Sequence, residues 1–311
     1  MIENQIVGVD IGGTKIAVLR GTPEGQILEK IKFQTLPGWE QNLEKIADLI
    51  LEFKRKEQGQ SFLAIGISCG GPLNDKTGVI HSPPNLPGWD DVPVCRILEE
   101  TTGIQAYLEN DANACALAEW KWGAGRGYEN LVFLTFGTGL GAGLILNNRL
   151  YSGTSGQAGE VGHIRLTTDG PLGYGKNGSW EGYCSGGGMS NHYRDVYHED
   201  LSAKEICLRA NQKDQKALNI IKSSSQQLGR GLAILLDVLN PELIIIGSIF
   251  SRDENLFRSQ LEKILAEESL PQTYADCKVV VSELGESLGD LAALGVAMKG
   301  VHLKTKQEEL K

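Results

Sequence analysis

No apolar run in the chain approaches the ~20 residues that a membrane span needs. The first residues, Met1-Ile2-Glu3-Asn4-Gln5, lack the basic, then apolar, then small-residue order of a signal peptide. These absences predict a cytoplasmic protein without a membrane partner. Paired cysteine is missing too. The six Cys, at 69, 95, 115, 184, 207 and 277, form no CxxC pair and no disulfide framework. Scattered cysteines in a chain of this length read as small buried hydrophobes in a reducing compartment. Basic charge is in deficit, with 30 Lys plus Arg against 39 Asp plus Glu and a net charge of −9. Such a chain repels a phosphate backbone, which argues against nucleic acid as a partner. Proline is scarce, 10 against 39 glycines, and the glycines do not gather with serine into linker tracts.

The glycines instead fall in short clusters beside strand-like runs, where a backbone can approach a ligand closely. The length, 311 residues, suggests about two domains. Ile6 to Val9 and Ile16 to Leu19 flank Asp10-Ile11-Gly12-Gly13-Thr14-Lys15, which reads as a hairpin. Leu131 to Phe136 and Leu144 to Leu146 flank Gly137-Thr138-Gly139-Leu140-Gly141-Ala142-Gly143 in the same way. Between and after them the periodicity predicts helices over 40–55, 92–102, 112–122, 203–209, 215–238 and 289–301, the last running into a charged tail. Strands are expected over 63–68, 106–108, 243–246 and 279–282. A strand–glycine turn–strand unit occurring twice, each time followed by mixed strand and helix, implies a duplicated α/β domain, enlarged in its second copy between 147 and 240. A cleft between two such copies would present one glycine turn from each side, and such places commonly hold small ligands.

Each glycine turn offers free backbone N–H groups and a hydroxyl, a nest suited to phosphate. Either alone is equally a plain hairpin turn; the matched pair is the stronger sign. Neither fits GxxxxGK[ST] or a GxGxxG opening a long helix. Asp10 is well placed for a hydrated Mg²⁺, which keeps its waters and takes few carboxylates. In Asn110-Asp111-Ala112-Asn113, Asn110 or Asp111 can cap the following helix. The helix N-terminus would keep Asp111 ionised, ready to accept a hydroxyl proton. Glu160, His163 and Glu181 can together bind several adjacent hydroxyls, as on a sugar. A lone His is nevertheless more often structural. Asn85, in the proline-stiffened 82–89 loop, is a further polar contact or an ordinary turn asparagine.

These segments, in this order, resemble the ROK family of sugar kinases, repressors and related proteins. The likeness adds Gly159-Glu160-Val161-Gly162-His163, Asn240-Pro241-Glu242-Leu243-Ile244-Ile245-Ile246-Gly247 and Gly289-Asp290-Leu291-Ala292-Ala293-Leu294-Gly295, and runs from residue 6 to about 300. It implies an actin/hexokinase/Hsp70-like (ribonuclease H-like) duplicated fold. The small domain would be 1–112, completed by the C-terminal helix 289–311, and the large one 113–288. It implies ATP-dependent phosphorylation of a hexose, glucose at the 6-hydroxyl by default, by a homodimer. Asp111 would be the base, and Asn85, Asn110, Glu160, His163 and Glu181 the sugar ligands. Gly12, Gly13, Thr14, Lys15, Gly137, Thr138 and Gly139 would face the ATP phosphates, with Gly247 near the adenosine. The alternatives are a sugar-sensing repressor of the family or a non-catalytic sugar-binding protein. The first carries a helix-turn-helix before the first glycine turn, for which a turn beginning at residue 10 leaves no room. The second would lack Asp111 or the turns.

Two departures from the resemblance matter. Many members hold a structural zinc through CxCGxxGCxE and the His; here the three Cys positions are Leu172, Tyr174 and Ser179. No zinc is therefore expected, and His163 must be oriented in another way. The usual Gly-Gly after the 243–246 strand is Gly247-Ser248.

Overall fold

The computed structural model describes residues 4–56 and 60–309, with side chains to 303. The chain divides into two compact units. The first comprises the chain through Gly123, the short return 152–156, and everything from Glu286 on. Its sheet holds β1 (Gln5–Ile11), β2 (Lys15–Gly21), β3 (Ile27–Gln34), β4 (Phe62–Cys69) and β7 (Ala106–Asn110) in the order β3-β2-β1-β4-β7. β1 and β2 form the antiparallel hairpin expected at the first glycine turn, while β4 and β7 continue parallel. β5 (Leu73–Asn74) and β6 (Val79–Ile80) make a small ribbon beside it.

Strands covered on both faces become continuous apolar runs, and β1 and β4 read that way. On one face lie α1 (Trp39–Lys56) and α2 (Val94–Thr102), whose Leu43, Ile46, Ile50, Phe53 and Leu98 join Val7, Val9, Ile65 and Ile67 in one core. α3 (Asp111–Trp122) and α10 (Leu288–Glu309) also belong to this unit, and α10 packs against β1, β4 and α3. Leu291 to Leu294 and Val296 to Met298 are all buried, so this stretch of α10 is surrounded on every side. The expected cut at 112 would separate α3 from this partner; packing on α10 keeps it in the first unit.

The second unit repeats the theme. β8 (Leu131–Phe136) and β9 (Leu140–Ile145) form the second hairpin, and β12 (Leu243–Ile246) and β13 (Lys278–Val281) extend it in parallel, in the order β13-β12-β8-β9. This is the arrangement of β2, β1, β4 and β7 over again, the physical signature of the duplication. β9 begins at Leu140, so the turn is only Gly137-Thr138-Gly139 and the later glycines lie in the strand. The enlargement carries the ribbon β10 (Leu172–Gly173) and β11 (Lys176–Asn177), then α4 (Trp180–Tyr183), α5 (Gly186–Tyr197), α6 (Ala203–Asn211) and α7 (Gln215–Leu239). α8 (Ile249–Glu268) and α9 (Pro271–Asp276) follow β12. Among the described residues, no helix is long and apolar enough to cross a membrane.

Candidate active site

In the first unit the glycine turn is held from β3's end. The Thr35 hydroxyl donates to Gly12 O at 2.7 Å, and Thr35 N to Thr14 O at 3.0 Å. A trans peptide points its N–H opposite its C=O. Anchoring the Gly12 carbonyl therefore turns the Gly13 N–H the other way, where no acceptor meets it among the described residues. An alanine methyl at Gly13 would collide with the Asn85 carbonyl oxygen, so the glycine is needed for this close approach. Lys15 opens β2 just beyond, exposed, its carbonyl accepting from Gly12 N at 3.1 Å.

Asn85 is exposed at the tip of a turn closed by Leu86 N donating to Pro83 O at 2.9 Å. The loop's ends are tied by the Ser82–Asp90 hydrogen bond and the His81–Asp91 contact. Across the strand–helix junction, Asn110 is the cap of α3: its Oδ1 accepts from Asn113 N at 2.8 Å. Asp111 is the first helical residue, exposed, with Oδ1 accepting from Ala112 N at 2.8 Å. Both expected roles are thus separated, Asn110 as the cap and Asp111 as a carboxylate at the positive end of a helix.

Asp10 ends in a field of acids. Burial first, then the Asp290 and Asp111 carboxylates, push its pKa up from 3.8 to about 6, against the pull of Lys32 and Lys30. Asp290, in the first turn of α10, is itself buried and ion-paired to Lys30. Sequence reasoning did not single it out; its position after Gly289 within the matched tail was the available sign.

In the second unit the turn is held by α5. Gly186 N donates to Gly137 O at 2.7 Å and Gly187 N to Thr138 O at 3.3 Å, which by the same peptide geometry turns the Thr138 and Gly139 N–H groups away from α5. Gly137, Thr138, Gly186, Gly187, Ser190, Lys204, Ser248 and Arg252 are among the residues lining a cleft of about 570 Å³. The two cations and the glycine backbone suit an anionic ligand such as a nucleotide phosphate. Gly186, Gly187, Ser190, Lys204 and Arg252 were not anticipated, although the run Gly186-Gly187-Gly188 was a visible sign of close backbone approach. Gly247 follows β12, its N–H donating to Leu134 O at 2.9 Å. Ser248 follows at positive φ, 59°, with ψ −115°.

Glu160 caps and His163 ends a single 3-10 turn, Val161–His163, and both are exposed. Glu181 is half-buried in α4, with Oε2 accepting from Leu140 N at 3.0 Å. Burial, and then the neighbouring Glu160, raise its pKa. An alanine methyl at Gly139 would sit 2.8 Å from Glu181 Oε2, so the turn and this carboxylate are packed as one piece. The ribbon β10–β11 reaches the other two: the Tyr174 hydroxyl donates to Glu160 Oε2 at 2.9 Å, and Lys176 Nζ lies 3.0 Å from His163 Nδ1. The Ser179 hydroxyl accepts from Gly182 N at 3.1 Å as the cap of α4, and Leu172 is exposed. Among the described residues, no three His, Cys, Asp or Glu side chains are grouped to hold a metal ion.

Two units, each built on a strand–glycine turn–strand hairpin extended by parallel strands, define the actin/hexokinase-like class of fold. Residues 6–299 match the ROK family, and the chain belongs to that family. It is 33% identical to the glucokinase of Thermotoga maritima over 95% of this chain and 98% of that one. It is 32% identical to a putative xylose repressor of a Caldicellulosiruptor species over 90% of this chain and 74% of that one. Among solved structures, it is similar to the ROK hexokinase of Thermus thermophilus, with a TM-score of 0.86, 32% identity, and 97% and 99% of the two chains covered. A ROK family glucokinase from Streptomyces griseus in complex with glucose and AMPPNP gives a TM-score of 0.73 at 31% identity, covering 95% of this chain and all of that one.

Proposed function

We propose that this protein transfers the γ-phosphoryl group of ATP to a hexose, with glucose at its 6-hydroxyl as the preferred acceptor. The observation that carries the reading is Asp111, an exposed carboxylate on the first residue of α3, directly after the cap Asn110. Its likeness to glucokinases and a ROK hexokinase supports the same reading. Asp111 takes the proton of the hydroxyl as its oxygen bonds to the γ-phosphorus, and the bond to the β-phosphate oxygen breaks to release ADP. Phosphoryl transfer needs little else than positioning and charge stabilisation.

Glu160, His163 and Glu181, with Asn85 and Asn110, hold the sugar hydroxyls. The glycine turns at Gly12–Lys15 and Gly137–Gly139 offer amides to the phosphates, and Gly247 borders the adenosine. Asp10, beside the Asp290 and Asp111 carboxylates, would hold a hydrated Mg²⁺, which would neutralise the transferring phosphates. A regulator of the xylose-repressor kind is the alternative, but both turns and the Asp111 carboxylate are kept.

A coupled ADP-release assay over glucose, fructose, mannose, allose, N-acetylglucosamine and N-acetylmannosamine tests the proposal. Glucose should turn over best. ADP release that no hexose stimulates would refute it.

A further inference from the structure

The ribbon that replaces the family's cysteine-bearing loop makes specific contacts, and they converge on two of the proposed sugar ligands. Tyr174 and Gly175, with φ 52° and 68°, form the tight two-residue turn between β10 and β11. Positive φ at both central positions is the hairpin geometry that fits strand twist. This turn delivers Tyr174 and Lys176 to the same side. The Tyr174 ring stands edge-on to the His163 imidazole, with centroids 5.5 Å apart at 78°, while its hydroxyl donates to Glu160 Oε2 at 2.9 Å. Lys176 Nζ meets His163 Nδ1 at 3.0 Å.

An ammonium group has donors and no lone pair, so this contact requires Nδ1 to be the acceptor. A neutral imidazole then carries its proton on Nε2. We infer that Lys176 and Tyr174 are positioning residues: Lys176 fixes His163 as the Nε2–H tautomer, Tyr174 fixes its ring plane, and Tyr174 also aims Glu160. A ligand that needs a neutral N–H donor beside a carboxylate acceptor, such as a pair of adjacent hydroxyls, meets both already oriented. The which-nitrogen question is normally settled in proteins by the partner on the other nitrogen, and here that partner is a lysine. No metal is needed to hold the ring. The inference rests on the sugar-kinase reading only for what the oriented pair binds.

Nitrogen-15 correlation spectra of the ligand-free protein at mildly alkaline pH read the His163 tautomer directly. The wild type should show Nε2–H. Lys176→Met should give a mixture of tautomers, and Lys176→Arg, which keeps a donor, should restore the wild-type pattern. In the kinase assay, Lys176→Met and Tyr174→Phe should each raise the KM for hexose about fivefold to tenfold, the scale of one hydrogen bond, with the KM for ATP and kcat within about twofold. A wild-type spectrum of the Nδ1–H form overturns the inference. So does a Lys176→Met variant that keeps both the Nε2–H spectrum and the hexose KM. If the spectra behave as expected but no hexose is phosphorylated, the clamp stands and the kinase reading falls.

Discussion

Replacing Asp10 by asparagine should make the protein more stable at neutral pH while making it a poorer enzyme. The Asp10 carboxyl is lifted from 3.8 to about 6 by burial and by Asp290 and Asp111. Above pH 6 the group is ionised both folded and unfolded, so the folded state bears the full cost of a charge held near two like charges. As pH falls through about 6 toward 3.8, the folded protein takes up the proton first and the cost is withdrawn. The shift spans about two pH units at about 1.4 kcal/mol each, which sets an upper limit of about 3 kcal/mol. An amide of the same shape removes that charge. For a unit of this size each kcal/mol moves Tm by about 2–4 °C, so the variant should melt higher by up to about 6–12 °C at pH 8. The gain should shrink steadily between pH 7 and pH 4. Thermal melts of both proteins across that range, beside a turnover assay at pH 8, make the test. An unchanged Tm at pH 8, or a gain that persists undiminished at pH 4, would refute the electrostatic reasoning; undiminished kcat would remove Asp10 from the magnesium role.

Other substitutions probe the second unit. Gly139→Ala lies in a turn assigned to phosphate, yet its methyl would come within 2.8 Å of Glu181 Oε2, and the carboxylate would shift away from Leu140 N. The shifted carboxylate should raise the hexose KM more than the ATP KM; the reverse order would unlink Glu181 from the sugar. Ser248→Gly should raise Tm by a few degrees, since a side chain at φ 59°, ψ −115° costs about 1 kcal/mol or more; a lower Tm would mean that the serine makes compensating contacts. Purified protein should hold much less than one zinc per chain, and EDTA should abolish turnover until Mg²⁺ is added back. Stoichiometric zinc that survives dialysis would overturn the reading of Leu172, Tyr174 and Ser179.

Much of this was legible in the sequence where local signals agree with the fold. The two hairpins, the parallel strands after them and the amphipathic α1 follow from apolar runs punctuated by glycine. β3 did not show itself, because its inward position 29 is a glutamate, paired in the fold with Lys56 at 2.9 Å and Arg20 at 3.2 Å. α8 was also missed: Asp253, five residues in, breaks its regularity with φ −126°, ψ 32°, although Phe257, Leu261, Ile264 and Leu265 carry the helical period. Motifs singled out Asp111 and the turn residues as candidates, since each is local. The contacts of Lys176 with His163 and of Tyr174 with Glu160 cross 13 and 14 positions, and Asp290 approaches Asp10 from the far end of the chain. Such pairings depend on the path of the backbone.

Phosphorus NMR of a reaction with ATP, Mg²⁺ and glucose tests most directly whether Asp111 takes the hexose proton as the phosphoryl group passes from ATP. The wild type should produce ADP and a hexose 6-phosphate in equal amounts. Asp111→Asn, folded and still binding glucose, should do so roughly 10²–10⁴-fold more slowly, the usual scale for a general base. A variant that forms the sugar phosphate at the wild-type rate, or a wild type that releases only inorganic phosphate, would contradict the account.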